Sequence, residues 1–132
     1  MKEALTIDFL KRLNRTYKLR VAITSILKQV CSRVYYRNSS KGAIYPYITY
    51  NLDHVKAENG NEYTLELHIW TRDIKECENI ADQLEELNDC YYTDNEMSFD
   101  ISLNNRNNVQ DEDKELQHVR LLFNLSYYSK EV

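Results

Sequence analysis

Glycine and proline are almost missing from this 132-residue chain: Gly42 and Gly60 are its only glycines and Pro46 its only proline. Disordered linkers and collagen-like repeats need far more of both, so those classes are set aside. Two glycines eighteen positions apart cannot build a phosphate-cradling loop, which requires several close backbone approaches. Histidine is scarce as well. His54, His68 and His118 are scattered, and neither a Cys-x-x-Cys nor a His-x-x-x-His spacing occurs, so no metal motif can be read. His68 and His118 fall on the polar side of two strands, where a metal could be shared, but ordinary solvent-facing histidines are the favoured reading. The three cysteines, Cys31, Cys77 and Cys90, are an odd number without short spacing. No apolar stretch resembles a signal peptide or reaches the roughly 20 residues of a membrane span, so free thiols in a reducing compartment are expected and a membrane is not. Cys77 lies on an apolar helical stripe, where a thiol acts as a small hydrophobe. Cys31 and Cys90 lie near helix C-termini, where the dipole disfavours a thiolate. No nucleophile, metal or cofactor is therefore expected, and the chain reads as a non-enzyme.

What the chain does have is charge and tyrosine. Charged residues make up 29% and there are eleven tyrosines, a residue that suits half-buried strands and interfaces because it joins apolar area to a polar tip. The net charge of −4 is unevenly spread: residues 1–41 hold ten Lys/Arg against two acids, a net +8, and the remainder holds seven against nineteen, a net −12. A basic arm for nucleic acid is one reading. The favoured one is a basic surface that meets an acidic surface, within the fold or on a neighbouring subunit, because the acidic bulk would repel a phosphate backbone. Asp94, Glu96 and Asp100, and the run Asp111, Glu112 and Asp113, sit beside or within polar loops and read as solvated surface rather than as an acid–base pair.

Periodicity places the elements. Leu5, Phe9 and Leu13 mark a first helix over 4–13. Leu19, Ile23, Ile26, Leu27 and Val30 form the stripe of a second over 18–31. Val34-Tyr35-Tyr36 reads as a short strand. Pro46 opens a strand from Tyr47, and Asn59-Gly60 is a type I′ turn signal that pairs 47–57 with 61–71 as an antiparallel hairpin. Ile74, Cys77, Ile80, Ala81, Leu84 and Leu87 predict a helix over 74–88, with Asp73 as its cap. Met97, Phe99, Ile101 and Leu103 alternate as a strand. Residues 104–114 are so polar that a long mobile loop is expected. Val119 to Tyr127 alternate as a last, central strand. The predicted fold is α+β, with a mainly antiparallel sheet and helices packed on one face. Residues 1–17 form an N-terminal helical extension and 18–132 a single domain.

The ordered set Val34-Tyr35-Tyr36, Tyr45-Pro46-Tyr47-Ile48-Thr49-Tyr50, the Asn-Gly turn, Tyr63 to Trp70 and the helix from Ile74 to Leu87 resembles the tail-completion proteins of long-tailed phages, the tail terminators and head-tail joining proteins. The likeness covers roughly residues 19–128, and no single motif in it is diagnostic. It implies an α+β subunit without catalytic residues or cofactor. Such a subunit forms a ring, commonly a hexamer, at the end of the tail tube or in the neck, and completes the tail or joins it to the head. The implied partners are further copies of the chain, the tail tube protein and neck or connector proteins, with DNA only passing through the channel. The implied location is the tail or neck of a virion assembled in a bacterial cytoplasm. Tyr47, Tyr50, Trp70 and Tyr128 are the candidate aromatic anchors of such contacts, and Asp111, Glu112 and Asp113 the candidate acidic ones. A small nucleic-acid-binding regulator that uses the basic N-terminal third is the alternative.

Overall fold

The computed structural model describes residues 14–57 and 60–129. The helix expected over 4–13 lies outside them. Among the described residues the order is α1 (Arg15–Leu27), β1 (Val34–Tyr36), β2 (Tyr47–Ala57), β3 (Gly60–Thr71), α2 (Ile74–Glu85), β4 (Cys90–Thr93), β5 (Met97–Val109) and β6 (Gln117–Ser129). The strands form one sheet in the order β1-β2-β3-β6-β5-β4, with β3 and β6 at its centre.

This overturns the expected fold class of a mainly antiparallel sheet with helices packed on one face. Among the described residues strands far outnumber the two helices, and the six-stranded sheet is mixed and curled. Two local causes account for much of the difference. β1 runs parallel to β2, with Val34 opposite Ile48 and Tyr36 opposite Tyr50. The second is the stretch expected to be a loop. Residues 104–109 continue β5 and pair with β6 as far as Val109 opposite His118. Asn104 to Asn108 carry no apolar alternation, but the backbone ladder to β6 needs none. A register shift between Leu103 and Asn105 inserts one extra residue. That bulge reverses which face each side chain meets. Before it, Phe99 and Ile101 are buried; after it, Arg106 takes the core-side position opposite Leu121. Arg106 then donates to Asp82 of α2 at 2.7 Å and lies 3.3 Å from Glu85.

The core is built from the alternation that the sequence displays. Tyr63, Leu65, Leu67 and Ile69 of β3 meet Leu125, Phe123, Leu121 and Val119 of β6 in register, all buried. Each such large apolar side chain contributes about 1.5–3 kcal/mol relative to exposure. α1 adds Leu19, Ala22, Ile23 and Leu27. α2 adds Cys77, Ile80, Ala81 and Leu84, and starts where the Asp73 carboxylate accepts the Lys75 N–H at 3.0 Å. Ile74, expected on that stripe, is 60% exposed in the first turn. In the β2–β3 hairpin Ala57 pairs with Gly60. Gly60 therefore belongs to the strand rather than to the expected Asn59-Gly60 turn, and Glu58 and Asn59 lie outside the described residues.

Candidate interface on the polar side of the central strands

The residues between the core positions of β2, β3 and β6 point to the other side of the sheet, and there they form a connected polar and aromatic set. At its centre His68 of β3 and His118 of β6, diagonal neighbours two residues out of register, join ring nitrogen to ring nitrogen at 2.7 Å. His68 donates from Nε2 to Glu66 Oε1. Arg120 donates to the other oxygen of Glu66 at 3.0 Å. One end of the chain is thus an arginine–carboxylate pair and the other a histidine shielded from water: His118 is 8% exposed. Burial, reinforced by the neighbouring His68, pushes the His118 pKa down to about 4. Glu66 is partly buried, which alone would raise its pKa. Hydrogen bonds from His68 and Arg120 outweigh that and hold its carboxyl below the ordinary range.

The indole of Trp70 stacks on His118 with ring centroids 3.7 Å apart. Its N–H donates to the Thr49 hydroxyl at 3.1 Å. Tyr47 lies alongside, near-parallel to Trp70 at 6.2 Å, and Tyr45 continues the row at 5.3 Å from Tyr47. The Arg72 guanidinium sits 5.0 Å over Tyr45 and bonds Asp113 at 2.6 Å. Asp113 and its hydrogen-bond partner Arg72 shift each other in opposite directions, the carboxyl down and the guanidinium up. The result is a continuous strip from Arg120 through two histidines and three aromatic rings to Arg72.

Of the candidate residues named from sequence, Tyr47 and Trp70 are brought together in this strip, and Asp113 closes its end through Arg72. Asp111 and Glu112 lie in the same β5–β6 connection, Glu112 exposed. Tyr128 is 48% exposed at the far end of β6, beside Ser98, away from the strip. Tyr50 points the other way and is corrected: it is fully buried, its hydroxyl bonded to Thr24 at 2.6 Å and to the Arg20 carbonyl at 3.1 Å, so it is not available to a partner. Burial raises its pKa, against the Thr24 hydrogen bond, and keeps the phenol protonated. The solvent-facing reading of His68 and His118 is likewise replaced by a mutual hydrogen bond. Strand alternation was the signal for the shared face, but only the β3–β6 register brings the two rings together.

The strip presents hydrogen-bonding groups and aromatic ring faces side by side. Among the described residues no group of three His, Cys, Asp or Glu is placed to hold a metal ion. A groove of about 780 Å³ lies between the start of α2 and the β5–β6 end and is lined by Cys77, Glu78, Arg106, Asp111, Lys114 and His118 among others. Its thiol is not activated, since burial pushes the Cys77 pKa up despite the Thr71 hydroxyl beside it. Cys31 is also buried and Cys90 exposed, all three as free thiols. No helix of the described residues is long and apolar enough to cross a membrane.

Comparison with known proteins returns a likeness of fold. No protein-family model matches the sequence, and no curated protein matches it. Among solved structures, the chain is similar to a chain from the virion of a native gene transfer agent particle, with a TM-score of 0.54 at 9% sequence identity over 86% of this chain and 91% of that one.

Proposed function

We propose that this chain is a non-catalytic structural subunit of a phage-like virion, assembling as a ring, a hexamer by the family resemblance, at the head-tail junction or the tail end. The observation that carries the reading is the fold likeness to a chain of a virion particle, which spans nearly the whole of both chains. The sequence resemblance to tail-completion proteins points the same way from independent features. In this role shape and charge complementarity do the work. Partners would be sister copies, the tail tube protein and neck proteins, and DNA would pass through the channel unread. The test is to purify intact particles from the producing cells and quantify their proteins by mass spectrometry. This chain should be present at low copy, a small fixed fraction of the tail tube protein. Its absence from intact particles, with the protein abundant in the cleared lysate, would refute the reading.

A second reading, a nucleic-acid-binding regulator, is favoured by one observation: residues 14–41 hold seven Lys/Arg and no acid. Random duplex DNA in a gel shift decides it. Retention with a steep loss of affinity as salt rises supports the regulator, and no shift at low salt removes it.

A further inference from the structure

The sheet ends in two unlike edges, and they are chemically complementary. β1 and β4 are the outermost strands, and among the described residues neither has a strand on its outer side. The β1 edge is basic. Arg33 and Arg37 flank the strand directly, Lys41 follows in the loop to β2, and Arg20 of α1 reaches over the Tyr36 ring at 4.5 Å, with Arg37 on the same ring at 5.0 Å. No acid occurs between residues 14 and 52. The β4 edge is acidic. Glu86 and Asp89 precede the strand, Asp94 and Glu96 form the turn after it, and Asp100 lies opposite Tyr91 on β5. Lys18, 3.3 Å from Glu96, is the base that reaches this edge. Each edge also exposes a large apolar side chain: Ile44, 65% exposed, in the β1–β2 connection, and Tyr91, 62% exposed, on β4. Beside Tyr91 lies a groove of about 200 Å³ with almost purely apolar walls, including Ile26, Leu87, Tyr92 and Phe99.

We infer that the β4 edge of one copy pairs with the β1 edge of the next, so that the sheet continues from protomer to protomer. The occupant of each edge is a second copy of this chain. An open strand edge is a ready template for another strand. Charge then selects among the possible pairings. β1 against β1 sets base against base, and β4 against β4 sets acid against acid, so both symmetric pairings are opposed. Only the head-to-tail pairing joins opposite signs, and a head-to-tail contact repeated around an axis closes a ring. Attraction across the joint is exposed to solvent and weakens with salt. The inference rests on the ring reading and adds where the joint lies.

Cys90, the first residue of β4, is exposed, whereas Cys31 and Cys77 are buried. A single added thiol on the other edge, Arg37→Cys, therefore tests the joint directly with a short bifunctional thiol reagent. We expect ladders of cross-linked chains that vanish when Cys90→Ser is added. Native mass spectrometry on the full chain gives the second arm. Wild type should form closed oligomers that dissociate as salt rises. Arg37→Glu/Lys41→Glu and Glu86→Lys/Asp100→Lys should each be monomeric. Mixed in equal amounts they should reassemble with strict alternation, because each reversed edge then faces its complement; reassembly also shows that both variants fold. Closed oligomers that survive both reversals and give no cross-link would overturn the edge joint and leave the ring reading intact. A wild-type chain that stays monomeric at every concentration and salt would overturn both.

Discussion

The two sides of the central strands solve opposite problems with the same backbone. On one side β3 and β6 present matched apolar rows, Leu65 against Phe123 and Leu67 against Leu121, and the face is dry. On the other, Glu66, His68, Trp70, His118 and Arg120 satisfy one another through hydrogen bonds and ring stacking. No polar side-chain atom buried among the described residues lacks a partner. The lesson is that polar side chains on a sheet face can be drawn partly out of water, His118 almost wholly, provided they close into a network. The apolar side sets how stable the fold is, and the polar side sets how stability depends on pH.

The sharpest break between the two sides comes from neighbours in the chain. Phe123 is fully buried and Leu122, the residue before it, lies half-buried on the polar side. Phe123→Ala should cost about 3–5 kcal/mol, as large-to-small changes in closed cores do. Leu122→Ala should cost about 1 kcal/mol or less, since only part of its area is removed from water. Urea denaturation of both variants at neutral pH reads the difference. Equal losses would mean that the polar side is packed as tightly as the core.

The second test acts through protons. His118 has a folded pKa of about 4 against an ordinary 6.5, so between those values the unfolded chain binds a proton that the folded one refuses. Stability therefore rises with pH across that window. It should be complete above about pH 6.5, fall as pH drops toward 4 and level off for this group below that. The groups facing His118 are His68, Glu66 and Asp111, with the Trp70 ring stacked upon it. The full swing for a shift of this size is about 3 kcal/mol. His118→Gln should be less stable at pH 7.5, yet its stability should change much less between pH 6.5 and 4.5. A variant with an unchanged slope would assign the acid sensitivity to other groups.

How much of this could be read in the residues follows from what carries each feature. The β3 row Tyr63 to Ile69, the α1 stripe and the α2 stripe were legible because one face is buried and the period shows it. β6 as a central strand was legible for the same reason. β4 was missed: Cys90 to Thr93 is four residues long, and its burial does not alternate. The parallel pairing of β1 could not be read, since Val34-Tyr35-Tyr36 specifies a strand but not its neighbour. The pairing of His68 with His118 needed the β3–β6 register, a property of two segments fifty residues apart. Asn104 to Val109 failed most plainly, because composition argued for a loop and only the ladder to β6 and the contacts of Arg106 argue for a strand.

That last segment supplies the gentlest test. Arg106 is the only charged residue in 101–110, and the bulge delivers it to the core side, where it meets Asp82 and Glu85 of α2. Those hydrogen bonds raise its pKa, so the side chain stays charged throughout the accessible range. If the ion pairs hold the polar half of β5 in place, Arg106→Gln should loosen residues 104–109 locally. The global cost should stay small, about 1 kcal/mol or less, because both carboxylates are partly exposed and screened. Hydrogen exchange separates the two scales: the amides of 105–109 should exchange faster in the variant, while those of Leu121 and Phe123 keep their protection. If protection falls equally in both sets, Arg106 belongs to the global fold. If neither changes, backbone pairing alone holds the segment, and the bulge serves only to turn the strand.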